Sequence, residues 1–92
     1  MIDNFRDRRL KQFYERGNAS LLPADMLARI QTILARLDIA ESIDDLRLHS
    51  YRLHPLKGNR KGYWSITVKA NWRIIFRFRD GRALDVKLID YH

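Results

Sequence analysis

The repeat of apolar residues changes once along the chain, near Tyr51, and that change constrains the fold more than any other feature. Before it, Met26, Leu27, Ile30, Ile33, Leu34 and Leu37 recur at i, i+3/i+4, the spacing of one helical face. After it the period is two. Trp64, Ile66 and Val68 alternate with Tyr63, Ser65 and Thr67; Trp72, Ile74, Phe76 and Phe78 alternate with Arg73, Ile75, Arg77 and Arg79. Leu84, Val86 and Leu88 alternate with Ala83, Asp85, Lys87 and Ile89 in a third run. Helices followed by strands predict an α+β fold, with N-terminal helices packed on an antiparallel sheet. The sheet is expected to be a meander of three C-terminal strands with short edge strands. A length of 92 residues supports one domain, 1–92.

Local signals sharpen this outline. Ile2 to Phe5 reads as a short edge strand. Asp7 is a candidate N-cap, Leu10, Phe13 and Tyr14 follow at helical spacing, and Gly17 suits a left-handed helix end. A second helix is expected from near Pro23 to about Ile39, with one further turn from Ser42 to Leu46. Matching the apolar faces sets Val68 opposite Trp72, across Lys69-Ala70-Asn71 with Asn71 left-handed. The same rule sets Phe78 opposite Arg82, across Arg79-Asp80-Gly81 with Gly81 left-handed. A two-residue Asp80-Gly81 turn is disfavoured because it sets Phe76 against Asp85. One face of the sheet should then meet the helices, and the other should carry Arg73, Arg77 and Lys87, with Tyr63 nearby.

The net charge is +7, and its placement is informative. Residues 1–50 hold eight basic and eight acidic side chains, whereas residues 51–92 hold ten basic and three acidic ones. Such one-sidedness points to a polyanionic partner, most commonly nucleic acid. With no cysteine, disulfides, thiolate metal sites and thiol catalysis are excluded. No apolar run approaches the ~18 residues of a membrane helix. Met1 to Phe5 lacks the pattern of a signal peptide, so a cytoplasmic protein without a membrane partner is expected.

Three features carry candidate chemistry. The segment Tyr51-Arg52-Leu53-His54-Pro55-Leu56-Lys57-Gly58-Asn59-Arg60-Lys61-Gly62-Tyr63-Trp64 places four cations within ten residues and bends at a proline and two glycines. It can present several donors to phosphates, or be a solvated basic loop. Arg73 and Arg77 lie four residues apart on one strand, about 13 Å along it. They can grip successive phosphates, or pair with Asp85 on the next strand, an alternative more serious for Arg77. Asp90-Tyr91-His92 sets a carboxylate, a phenol and an imidazole side by side. His49, His54 and His92 match no compact ligand spacing amid so many cations, so no metal and no cofactor is expected. Ser65 lies mid-strand without a nucleophile elbow, which leaves a serine triad unsupported. Together the features fit RNA cleavage by the adjacent 2′-hydroxyl, which needs a base, an acid and cations around the phosphorane. His54 or His92 can be base or acid, and Lys57 and Arg73 can hold the developing charge.

Tyr51-Arg52-Leu53-His54-Pro55-Leu56-Lys57-Gly58, Gly62-Tyr63-Trp64-Ser65-Ile66, Asn71-Trp72-Arg73-Ile74 and Asp90-Tyr91-His92 resemble the HigB toxins of the RelE/ParE superfamily, from type II toxin–antitoxin systems. The resemblance spans the chain, although the helical half matches only in pattern. It implies the RelE/ParE-like fold and a ribosome-dependent mRNA endonuclease that cuts the A-site codon and leaves a 2′,3′-cyclic phosphate. It implies catalytic roles for His54, Lys57, Arg73, Asp90, Tyr91 and His92. The partners it implies are mRNA and the 70S ribosome near A-site 16S rRNA. A HigA-like helix-turn-helix antitoxin would inhibit the toxin, and operator DNA would be met only through that antitoxin. Arg52, Arg60, Lys61, Lys69, Arg77 and Arg79 are the residues expected to contact RNA or the ribosome. A ParE-like gyrase poison shares the fold without needing the catalytic set. A non-catalytic RNA-binding module is less consistent, because Trp64, Trp72, Phe76 and Phe78 fall on the inferred core face.

Overall fold

A computed structural model describes residues 1–91. Helix α1 spans Arg8–Arg16 and α2 spans Leu27–Ile39. Asp7 caps α1 by accepting from the Arg9 N–H, and Gly17 ends it with φ 67°. A single 3₁₀ turn, Ala24–Met26, follows Pro23 and leads into α2. Ser42 caps a further 3₁₀ turn at Ile43–Leu46, with Asp45 completing a capping box. The strands are β1 (His54–Pro55), β2 (Trp64–Lys69), β3 (Trp72–Arg79) and β4 (Arg82–Asp90). They form one antiparallel sheet in the order β1-β2-β3-β4.

The outer edge of β4 is covered. Ile2 and Phe5 bridge Ala83 and Val86 in parallel, so the expected N-terminal edge segment exists as two isolated bridges. Beyond it, the Leu88 N–H donates to Asp7 Oδ2 at 2.9 Å, and Arg9 Nη2 donates to the Leu88 carbonyl at 3.0 Å. One acidic side chain thus caps α1 and ties it to β4. Burial alone would raise the Asp7 pKa. Hydrogen bonds from Arg9 and Leu88, with the Arg9 charge, outweigh that and hold it below the ordinary value.

Two turn assignments from the sequence are wrong. Arg79 pairs with Arg82 across a two-residue Asp80-Gly81 turn, not Phe78 with Arg82. Both central residues have positive φ, 52° and 75°, as a type I′ hairpin turn requires. The conflict at Phe76 is resolved by a bulge: Arg77 pairs with Leu84 and Ile75 with Lys87, so Phe76 opposes Asp85 and Val86 together. Asp85 takes φ 53° there. Consequently Ala83, Val86 and Leu88 are buried in the core, and Leu84 lies with Arg77 on the other face. At the β2–β3 turn, Lys69 pairs with Trp72, with a bulge at Val68. The left-handed residue is Ala70 and not Asn71. The body register is as expected, with Ile66 opposite Ile74 and Trp64 opposite Phe76.

The core joins Leu10, Ile30, Ile33 and Leu37 of the helices to Ile66, Ile74, Phe76 and Val86 of the sheet. Arg29 links α2 to β2 by donating to the Ser50 and Thr67 carbonyls at 2.7 and 3.0 Å, and it lies over the buried Tyr51 ring. Leu56 and Ile75 are buried but stand outside this core. Alternation puts Ile75 on the face away from the helices, which gives that face an apolar centre.

Candidate active site

The sheet face away from the helices gathers much of the expected set. One row across it is His54, Ser65, Ile75 and Lys87; the next is Thr67, Arg73 and Ile89. Strand spacing and rise put the His54 and Arg73 Cα atoms roughly 12 Å apart. Two long side chains at that separation can meet on one phosphodiester. Beyond Arg73, the Tyr91 N–H donates to the Asn71 carbonyl at 2.7 Å, which extends β4 pairing by one residue. Alternation then sets Tyr91 on the Arg73 side. The Arg60 guanidinium lies 5.8 Å from the Tyr91 ring centre, so the connection from β1 to β2 reaches that end of the face.

His54 is exposed, and its Nδ1 lies 2.9 Å from the Arg52 carbonyl oxygen. A carbonyl only accepts, so this contact selects the Nδ1–H tautomer and leaves Nε2 with its lone pair in the neutral ring. Lys57 is exposed at the start of the 3₁₀ turn Gly58–Arg60. Asp90 is exposed opposite Trp72, on the other side of the strand from Ile89 and Tyr91. His92 lies outside the described residues.

Arg73 is the most constrained of the set. Its Nη1 donates to the Ala70 carbonyl at 2.8 Å, while its Nε is buried with no partner among the described residues. Thr67, its cross-strand neighbour, buries an Oγ1 that is equally without a partner. Two orphaned polar atoms in one cross-strand pair are costly, about 1–3 kcal/mol each, unless a bound group completes them. Thr67 escaped the sequence reading because a threonine in a strand signals only β propensity. Nothing in its spacing marks the hydroxyl.

The basic residues divide by partner. Arg52, Arg60, Lys61, Arg77 and Arg79 are exposed. Lys69 is held by the Asp25 carboxylate, just ahead of α2. Arg77 pairs with Asp85 at 3.5 Å and lies 4.5 Å from the Tyr63 ring centre, with the Lys87 ammonium 5.8 Å from the same ring. The structural alternative for Arg77 is therefore real, and Tyr63 and Lys87 join the cluster. Hydrogen bonds from Asn4 and then Arg6, with the charges of Arg6 and Arg77, hold the Asp85 carboxyl below its ordinary pKa. Among the described residues, no group of three or more His, Asp or Glu side chains converges as metal ligands would. No helix among them is long and apolar enough to cross a membrane.

The model of a family described as RelE-like toxin of type II toxin-antitoxin system HigB matches residues 3–92. The chain belongs to the HigB-like toxin family. It is 48% identical over 92 residues to Endoribonuclease HigB of Proteus vulgaris, covering all of both chains. It is 38% identical over 90 residues to Toxin HigB-1 of Vibrio cholerae serotype O1, covering 96% of this chain and 95% of that one. Among solved structures, a YafQ mutant from E. coli superposes with a TM-score of 0.59 at 18% identity, covering 95% of this chain and 86% of that one. The YoeB/ParE toxin of Agrobacterium tumefaciens gives 0.55 at 21% identity, covering 90% and 85%. At such identities the structural likeness concerns the fold. The resemblance read from the loop, strand and terminal motifs holds, as does the RelE/ParE-like architecture. As a HigB-like toxin, the chain has an antitoxin as its partner.

Proposed function

We propose that this HigB-like toxin is a ribosome-dependent endoribonuclease that cuts mRNA within the A-site codon. The observation that carries the reading is the convergence of Arg73, His54 and Tyr91 on one basic sheet face, with two buried orphan atoms beside it. The full-length relative from Proteus vulgaris, named an endoribonuclease, supplies the reaction class. In the proposed reaction the substrate's own 2′-hydroxyl attacks the adjacent phosphorus and the 5′-oxygen leaves, giving a 2′,3′-cyclic phosphate. His54 Nε2 is free to take or give a proton, with His92 as its counterpart. Arg73 and Lys57 stabilise the phosphorane charge, and Tyr91 packs on the substrate. Asp90, on the other side of β4 from Arg73 and Tyr91, is given no contact with the phosphate in this scheme. No step is assigned to a metal ion. A HigA-like antitoxin restrains the toxin, and its helix-turn-helix meets the operator DNA.

The test is primer extension on a defined mRNA with purified protein, with and without programmed ribosomes. A cut inside the A-site codon only with ribosomes is expected. Folded protein that cuts in neither tube would defeat the reading and send attention to supercoiled DNA and gyrase.

A further inference from the structure

We propose that the cleft at the far end of the basic sheet face is a second subsite for single-stranded RNA. It would hold a base and its phosphate about two nucleotides from the phosphate at Arg73. The inference rests on the reading that RNA is cut at the Arg73 end. The cleft has a volume of about 350 Å³ and is lined by Gly62, Arg77, Phe78, Arg79 and Leu84. That volume lies within the ~300–1,000 Å³ range of small-ligand sites.

Several features argue that this cleft is built rather than incidental. Leu84 lines it only because the Asp85 bulge turns that leucine out of the core. Arg77 has neighbours on three sides. The Tyr63 ring lies 4.5 Å from its guanidinium carbon and Asp85 lies 3.5 Å from its Nε. On the third side lies Gly62, whose φ of 96° favours glycine; a Cβ there would fall 2.6 Å from Arg77 Nη1 and displace the guanidinium. An arginine positioned in this way offers a phosphate donors that need little further ordering. The Asp85 carboxylate is the opposing charge, and Asn4 and Arg6 already engage it.

The chemistry of the lining matches one nucleotide. Arg77 and Arg79 suit a phosphodiester, while Leu84 offers a base an apolar floor; Phe78 lines the cleft through its backbone, its ring packing on the core with Phe76. The cleft also continues the candidate active face. Arg77 and Arg73 sit on the same side of β3, four residues and about 13 Å apart. An extended strand anchored at Arg73 would therefore run over Ile75 into the cleft.

The test is NMR titration of the full chain with 2′-O-methyl RNA, which lacks the attacking hydroxyl, at two and at four nucleotides. With four nucleotides, the amides of Gly62, Phe78 and Leu84 should shift as well as those of Arg73 and Tyr91. The R77A/R79A variant should bind the longer RNA about tenfold more weakly, and the K11A control on α1 should not. Shifts confined to the Arg73 end, no shifts at millimolar RNA, or equal affinity of R77A/R79A and the wild type would each overturn the subsite. Subsite shifts with no cutting on ribosomes would instead count against the proposed function. Message and ribosomal RNA are separated with mRNA truncated at the A-site codon. If the message fills the cleft, truncation slows wild-type cutting to the R77A/R79A rate. If ribosomal RNA fills it, truncation changes nothing and R77A/R79A lowers ribosome affinity.

Discussion

At the scale of single residues, the orphaned pair of Thr67 and Arg73 carries the sharpest expectations. Arg73→Ala should lower ribosome-dependent cleavage by about 10²–10³-fold, the usual effect of deleting one donor to a developing oxyanion. Its thermal midpoint should barely move, because among the described residues Arg73 makes one side-chain hydrogen bond, to an exposed turn carbonyl, and its removal also relieves a buried, unpartnered Nε. Arg73→Lys should recover little, since a point charge does not reproduce the guanidinium fork. Rates on programmed ribosomes, set beside melting curves, check both. Thr67→Val removes a buried hydroxyl with no partner among the described residues and should raise stability by about 1 kcal/mol. A lower melting temperature would mean that the hydroxyl is satisfied in solution. Motif residues such as His54, Lys57, Arg73 and Tyr91 were legible because their neighbours in sequence are distinctive. The Thr67 hydroxyl was not, because its meaning comes wholly from the strand beside it.

At the scale of elements, a polar tie between α1 and the sheet runs through Asp7, which accepts from the Arg9 N–H and guanidinium and from the Leu88 N–H. Asp7→Ala removes a cap and leaves buried donors unpaired, at a cost of about 2 kcal/mol or roughly 8–16 °C in a domain of this size. The pH dependence has a definite sign. The folded Asp7 pKa is depressed, so its stabilisation is fully present above the unfolded value of about 3.9. That stabilisation is lost as pH falls through the lower folded value. Asp7→Asn should therefore flatten the loss of stability below pH ~4, as read by denaturant melts across acid pH. The same element scale shows where sequence reading fails. The helices, three strands and both helix ends were legible from period and caps. The β3–β4 register was not, because face matching assumes an unbroken ladder and Asp85 breaks it with an inserted residue. An aspartate with φ 53° has no strong local signal. Its partners Asn4 and Arg6 lie some eighty positions away in sequence.

At the scale of the whole molecule, the charge excess of the C-terminal half maps mainly onto one face and its flanking loop, so association with RNA should be steered electrostatically. Composition gave the sign and the half of the chain, but not which cations remain available. Lys69 shows the difference. It falls among the expected RNA contacts by sequence, yet the Asp25 carboxylate holds it at the approach to α2. Arg60, by contrast, lies over Tyr91 at the Arg73 end of the face. Each cation that neutralises a phosphate releases counterions, so log affinity falls with log salt by ~0.7–0.9 per contact. Arg60→Ala should therefore weaken binding to programmed ribosomes and flatten the salt dependence by about that amount. Lys69→Ala removes the same formal charge and should leave the slope nearly unchanged. Equal slopes for the two variants would show that net charge alone sets the affinity, and that the placement of cations around Arg73 does not select the RNA.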